Sequence, residues 1–477
     1  MKSAVGKISV FTLAMINVAA VLSLRNLPGQ AEFGYSVVFY IVAASLLFFI
    51  PSALVSAELA SAWQQKGGVY VWVKEAFGPK WGFVAIFMQW VNNLPWFPAV
   101  FTFVASAIAY VFDPELASNK YFVLACIWIF LWLGTYLNFK GLKLSTILSS
   151  TGAMFGTIIP GIVLIVLAAI YLMKGGAPAI PFSASKLVPD LGSMSQIMLL
   201  IGMLMAMSGM EMSSVHVTDV SNPNRNFPKA VFISAAVIIV LNVLASLAIA
   251  VVVPPQSLTF NAGVLQTFAN EFGMAKIDAF FHVHNLSWMT PVMAFFLAYG
   301  AVTMATTWIL GPSKGLLEVA DEGYLPKYWA KTNKNEMPTG ILIIQASCST
   351  VLSCVILVMP SVSTAFWIMT ALTAQIYAVM YLFMFAAAIK LKFSQPDVPR
   401  PYRVFGGKPG MCIVAGLGFL STILCFAAGF IAPSNVKPGW ETFAYEAFLV
   451  CGILVFMSVP IVFYIRSKKN SAVGKAA

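Results

Sequence analysis

The strongest candidate for a functional group is a carboxylate within an apolar segment. Glu211 lies in residues 205–214, MAMSGMEMSS, where Gly209 and three serines interrupt the hydrophobic run. A charged carboxylate is costly to bury unless a partner compensates it. A helix weakened by glycine and serine can unwind and direct free backbone groups at a polar ligand. The pattern predicts a ligand site at Glu211; the alternative is a carboxylate satisfied only by neighbouring helices.

A second interruption of an apolar run contains Ser23 and Arg25 and ends at Pro28. Proline cannot continue a helical hydrogen-bond ladder, and it biases the preceding residue away from helical geometry. Arg25 can attract a substrate carboxylate through a bidentate pair, or counter the charge of Glu211. An arginine that snorkels to the outer membrane interface fits the sequence equally well, so these interpretations stay open.

Other polar groups inside apolar runs are further candidates for ligand contact. Asn93 lies mid-run, where its amide needs a partner in protein, water or ligand. Tyr377 and Tyr381 are four residues apart and share one helix face with Thr373. Aromatic residues at this spacing more often serve packing, which is the alternative for the tyrosine pair.

The sequence lacks the motifs of metal centres and common enzymes. His216, His282 and His284 have no metal-ligand spacing, and all six cysteines lie in apolar stretches as small hydrophobic residues. No Walker loop, Rossmann fingerprint or HExxH sequence is present, and the single GxSxG match, GPSKG at 311–315, follows a long apolar run rather than a strand. We therefore predict no metal site, no cofactor and no enzymatic activity.

The elements that must position these groups are membrane-spanning helices. Of the 477 residues, 60% are hydrophobic and 9% are charged, whereas soluble domains have roughly 25% charged residues. This number of charged residues is too small to cover the surface of a water-soluble fold of this length. The excess of apolar side chains must therefore face lipid. The net charge is +11, but the basic residues lie in short connections and form no aromatic-lined groove. This distribution argues against a nucleic-acid partner.

Twelve apolar segments reach or nearly reach the length of about 20 residues that a helix needs to cross ~30 Å of hydrocarbon. With a cytoplasmic N-terminus, only six of the 28 basic residues fall outside, so the positive-inside rule places both termini in the cytoplasm. The predicted spans are 8–26, 36–60, 83–112, 121–139, 145–173, 194–217, 228–253, 279–310, 339–359, 363–390, 411–432 and 442–465.

The order of span lengths predicts an internal repeat within one transporter domain, 1–477. Spans one to five (8–173) and six to ten (194–390) each begin with an interrupted span and have a very long third member. Because five is odd, the second set enters the membrane from the opposite side, which makes the halves inverted repeats with a substrate site near the midplane. Spans eleven and twelve (411–465) and a short cytoplasmic tail (466–477) lie outside the repeat.

Four segments give nearly the whole chain a resemblance to a known superfamily. They are AEL at 57–59 with GGVYVWV at 67–73, GPKWG at 78–82, GME at 209–211 with SNPNRNFP at 221–228, and WILGPSKG at 308–315. The sequence resembles the amino acid-polyamine-organocation (APC) superfamily, most closely its bacterial glutamate/GABA antiporters. The resemblance implies an all-α membrane protein of twelve helices, a five-plus-five inverted repeat of the LeuT-like type, broken helices one and six, and alternating access.

The resemblance also implies roles for matched positions. Glu211 falls where members carry the acidic residue of helix six associated with proton or pH sensing, and Trp308 falls on a tryptophan that gates the substrate. Asn93 matches an asparagine that contacts substrate in the related arginine/agmatine exchangers. Tyr377 and Tyr381 match a helix-ten tyrosine pair of the glutamate/GABA group.

Two departures from the pattern concern the helix breaks. Met205 replaces the gating aromatic that arginine/agmatine exchangers have about one turn before the carboxylate. Val21, Leu22 and Ser23 replace the glycine-rich break of the first helix, so the usual carboxylate cradle is not assumed. We include Ser23, Ser208 and Gly209 among the candidates for substrate binding or gating.

The sequence thus predicts a secondary amino-acid transporter in a bacterial inner (cytoplasmic) membrane. An antiporter of glutamate/GABA type is the first interpretation, with amino acids as substrates and protons as a further partner. A proton-coupled amino-acid importer is the alternative within transport. A channel or a membrane enzyme is disfavoured by the absent catalytic motifs and the paired interruptions. The substrate identity and the oligomeric state stay open.

Overall fold

The computed structural model describes residues 8–189, 194–254, 264, 288–359, 361–431 and 439–476, and structural statements below refer to these. Twelve helices in this part of the chain are long and apolar enough to cross a membrane, as predicted. They are span 1 (Val10–Ala31), span 2 (Gly34–Ala62), span 3 (Pro79–Phe112), span 4 (Lys120–Phe139), span 5 (Leu142–Met173), span 6 (Leu200–Asp219), span 7 (Pro223–Val252), span 8 (Met289–Asp321), span 9 (Thr339–Val358), span 10 (Ile368–Ser394), span 11 (Gly407–Ala428) and span 12 (Thr442–Lys469).

Spans 1 and 8 extend furthest beyond their predicted C-terminal ends. Span 1 continues to Ala31 because Pro28 lies in the first turn of a short helix, Leu27–Ala31, where its missing N–H has no intrahelical acceptor. Span 8 extends beyond the predicted end at 310 to Asp321, because Leu316 and Val319 are buried against the protein. Residues 279–287, the predicted start of span 8, lie outside the described residues.

Spans 1 and 6 are each interrupted near the middle. The helix Val10–Val21 is followed by Leu22 and Ser23 in extended conformation and then by a 3-10 turn. In span 6, the helix Met194–Ala206 ends, and a 3-10 helix runs over Met210–Asp219. Each interruption leaves backbone groups without intrahelical hydrogen bonds, which broken transporter helices use to hold polar ligands.

The long spans form the centre of the bundle. Span 8 packs against spans 1, 3, 5 and 6, and span 10 packs against spans 3 and 11. Span 12 contributes few buried residues and exposes an apolar surface at the periphery. The division into two inverted five-span repeats and the cytoplasmic placement of the termini remain predictions.

Spans 5 and 8 approach each other through a pair of glycines. A Cβ atom at Gly300 would lie 2.6 Å from the carbonyl oxygen of Gly156. A Cβ atom at Gly156 would lie 2.2 Å from Cα of Gly300. Small residues permit such close backbone contact between membrane helices, where van der Waals packing drives association.

Replacing Gly300 with Ala is therefore expected to destabilise the protein by ~1–3 kcal/mol, because the added methyl group forces the two backbones apart. The melting temperature of the purified protein measures the effect. Gly416→Ala on span 11 is the matched control, since nothing lies within 4 Å of the added Cβ. An equal melting temperature for both variants would contradict the close packing of spans 5 and 8.

Candidate functional site

The interruption of span 6 depends on Gly209. Its φ of 121° lies in a region that side-chain-bearing residues rarely adopt. A Cβ atom there would also lie 3.1 Å from the carbonyl oxygen of Ala20 and 3.1 Å from Cζ2 of Trp308. Glycine thus allows span 6 to turn while it touches both span 1 and span 8.

The carboxylate of Glu211 follows this turn and is fully buried. Its Oε2 accepts a hydrogen bond from the Tyr381 hydroxyl at 2.5 Å. Its Oε1 accepts one from the Tyr377 hydroxyl and another from Nε2 of Gln89 at 3.1 Å. The backbone N–H of Gly209 donates to the Tyr381 hydroxyl at 2.7 Å. One network thus joins span 6 with spans 3 and 10.

Gln89 is a partner of Glu211 that the sequence interpretation missed. It lies four residues before Asn93 on span 3, so the two share a helix face. A glutamine within an apolar run, one turn from a candidate amide, was the available signal. Asn93 itself is buried and donates to the carbonyl oxygen of Gln89 at 3.2 Å. Its Oδ1 has no hydrogen-bond partner among the described residues.

Trp308 closes the site from span 8. Its Nε1 donates to the carbonyl oxygen of Ala20 at 3.1 Å, immediately before the interruption of span 1. Its ring lies 5.6 Å from the ring of Tyr377 and 5.4 Å from that of Trp96, between centroids. The tryptophan thus touches spans 1, 3 and 10. Trp96 was not among the sequence candidates.

The remaining candidates lie along the two interruptions. Ser23 and Ser208 are half-buried beside the breaks of spans 1 and 6, and Met205 is half-buried in the last turn of the helix before the second break. Arg25 is buried but makes no ion pair with Glu211 among the described residues. In this conformation Arg25 therefore does not counter the charge of Glu211. His282 and His284 lie outside the described residues.

Replacing Trp308 with Ala is expected to weaken apparent substrate affinity by roughly tenfold or more. It removes two aromatic contacts of ~0.5–1.5 kcal/mol each and the hydrogen bond to Ala20. Exchange should also become leaky, since a large side chain no longer covers the site. The measurement is uptake and passive efflux in proteoliposomes. The control is Trp288→Ala, which changes an exposed tryptophan beside the start of the same span. Wild-type affinity and efflux in Trp308→Ala would reject the gating role.

Comparison with known proteins decides the family. Residues 8–456 match the family model described as amino acid permease. The chain belongs to this family. The resemblance to the APC superfamily is thereby confirmed.

Relatives of this amino acid permease family protein are transporters. The chain is 42% identical over 456 residues, 96% of both chains, to an uncharacterized transporter of Legionella pneumophila. It is 30% identical over 462 residues, 96% of this chain and 90% of the other, to a glutamate/gamma-aminobutyrate antiporter of Lactococcus lactis. A solved manganese transporter of Eremococcus coleocola, in a mutant form, has a TM-score of 0.64 at 12% identity, covering 97% of this chain and 94% of that one. This last likeness concerns the fold alone.

Proposed function

We propose that this protein is a secondary active amino-acid antiporter of glutamate/GABA type that works by alternating access. The observation that carries the proposal is the network at Glu211, where a buried carboxylate bonded by Tyr377 and Tyr381 lies beside the interruption of span 6. Trp308 connects this network to the interruption of span 1. The similarity to glutamate/gamma-aminobutyrate antiporters supports the same substrate class.

Each part of this arrangement has a role in the proposed transport cycle. Free backbone groups at the two breaks bind the ammonium and α-carboxylate of an amino acid. Trp308 covers the bound substrate from span 8. Glu211 takes up or releases a proton and thereby changes the hydrogen bonds that Tyr377 and Tyr381 make to span 6. The polar groups on spans 3 and 10 then select the substrate side chain.

The second candidate is a proton-coupled amino-acid importer, because a buried carboxylate also suits proton symport. Radiolabelled glutamate uptake into proteoliposomes separates the two functions. An antiporter takes up label only when the vesicles contain glutamate, GABA or another amino acid. A symporter fills empty vesicles when a proton gradient is imposed, and a protonophore abolishes that uptake. Absence of amino-acid transport in both settings would overturn the proposed function.

We further propose a location in the bacterial cytoplasmic membrane with both termini in the cytoplasm. The excess of basic residues in the connections on one side of the spans supports this orientation. Labelling of single-cysteine variants in intact cells and in inverted vesicles tests it. Protection of Cys introduced at Ser467 in intact cells, and labelling in inverted vesicles, is the expected result.

A further inference from the structure

Arg25 on span 1 has a buried side chain that takes no part in the hydrogen-bond network at Glu211. It is 9% exposed, and it lies in the 3-10 turn that follows the extended residues Leu22 and Ser23. Its guanidinium carbon lies 5.5 Å from the centre of the Phe366 ring on the helix that continues into span 10. An arginine that snorkels to a membrane interface would place this head group in water.

Two nitrogens of this guanidinium, Nε and Nη1, are buried without an acceptor among the described residues. A cation–π contact with a phenylalanine compensates only part of the cost of burying such a charge. A buried donor that lacks an acceptor loses the hydrogen bonds it would make to water. Both nitrogens are hydrogen-bond donors that an anionic group can accept from.

Arg25 and Glu211 lie apart from each other in the structure. No ion pair connects them in the described structure. Phe366 precedes Tyr377 by eleven residues on the same helix, which is ~16 Å along the helix axis and about three turns. Arg25 therefore lies toward one end of that helix and the tyrosine-bonded Glu211 nearer its middle. Glu211 has hydrogen-bond partners, whereas Nε and Nη1 of Arg25 have none among the described residues.

We propose that Arg25 binds the second carboxylate of an acidic amino-acid substrate and so makes the protein prefer glutamate over its amide. This inference rests on the proposed amino-acid transport. The guanidinium fork matches a carboxylate through two parallel hydrogen bonds, whereas an amide has one acceptor and no charge. Arg25 would make this contact from the turn that follows the break of span 1.

The test compares glutamate with glutamine, which have nearly the same shape, as competitors of labelled-substrate exchange in proteoliposomes. In Arg25→Gln, the concentration of glutamate for half-inhibition should rise about tenfold to a hundredfold, the equivalent of a charge-assisted hydrogen-bonded contact. The glutamine value should change by less than about threefold. Arg25→Lys should fall between, since an ammonium keeps the charge and loses the fork. Lys186→Gln, an exposed loop residue, is the matched control.

A second measurement separates ligand binding from a structural role. Arg25→Gln should melt at the same temperature as the parent protein or higher without substrate, because it removes a buried charge for which the described residues provide no counter-charge. Glutamate should raise the melting temperature of the parent more than that of the variant.

Three results would overturn the inference. The first is an unchanged ratio of glutamate to glutamine competition in a transporting, folded Arg25→Gln variant, which leaves the proposed function intact. The second is a chloride-dependent rise in the melting temperature of the parent that Arg25→Gln abolishes while the competition ratio stays the same, since Arg25 would then hold an inorganic anion. The third is a parent protein that exchanges no amino acid, which overturns the proposed function together with this inference.

Discussion

Glu211→Gln is expected to abolish most of the pH dependence of amino-acid exchange. A rate that depends on one protonation changes by about tenfold per pH unit on the titrating limb. The slope of the logarithm of the exchange rate against pH should therefore fall toward zero in the variant. Glutamine keeps the volume of the side chain and an oxygen that accepts from Tyr377 or Tyr381, so the effect arises from the lost titratable charge.

The groups that face Glu211 decide which controls are informative. Gln89 on span 3 does not titrate, while Tyr377 and Tyr381 on span 10 donate to the carboxylate. Tyr381→Phe removes one of these bonds and the acceptor of the Gly209 N–H, but it keeps the carboxylate. This variant should transport more slowly and retain the pH dependence.

Initial rates of labelled glutamate exchange in proteoliposomes over a series from acidic to neutral pH measure both variants. The internal and external pH must be changed together, so that no proton gradient drives uptake. A Glu211→Gln protein with full activity and the wild-type pH profile would show that the carboxylate is structural. Its interaction with the two tyrosines would then serve only to connect spans 6 and 10.

Glu58→Gln is expected to lower the free energy of unfolding by ~3–5 kcal/mol, because it leaves two cations buried without a counter-charge. The carboxylate of Glu58 on span 2 is 1% exposed. Its Oε1 lies 2.7 Å from Nζ of Lys392 and 3.2 Å from Nε of Arg400. Its Oε2 accepts from the backbone N–H of Val404 at 2.6 Å. The cluster therefore ties span 2 to the end of span 10 and to the loop that follows.

The ion pair of Lys74 and Glu322 provides the control for this prediction. Its Nζ and Oε1 atoms are 2.6 Å apart, against 2.7 Å between Lys392 and Glu58, but both side chains are about one-third exposed. Glu322→Gln should therefore cost only ~0–1 kcal/mol. Melting temperatures in detergent rank the variants. Adding Lys392→Met to Glu58→Gln should restore part of the lost stability, since it removes one of the two cations left without a counter-charge. A larger loss of stability in Glu322→Gln than in Glu58→Gln would contradict this prediction.

The amino-acid sequence by itself determined the class of protein and the number of its membrane spans. Twelve spans follow from hydropathy because each helix satisfies its own backbone in lipid, so length and apolarity suffice to find it. The interruption at Gly209 follows from glycine and serine, which act on their own helix turn, whereas Pro28 lies in a short helix after the interruption at Ser23. The candidates Glu211, Tyr377 and Tyr381 were identifiable because polar groups are rare within apolar runs.

Only the tertiary structure decided which of these groups meet. Gln89 and Glu211 are 122 residues apart, and Trp308 and Ala20 are 288 apart, so no local pattern predicts either contact. From the sequence alone, Arg25 could lie at the membrane interface or inside the protein. Its burial beside Phe366 depends on how span 1 packs against the helix that continues into span 10. Such contacts depend on side-chain fit and hydrogen bonds between helices. Hydropathy predicts neither the side-chain fit nor the hydrogen bonds between helices, because lipid and protein interiors are equally apolar.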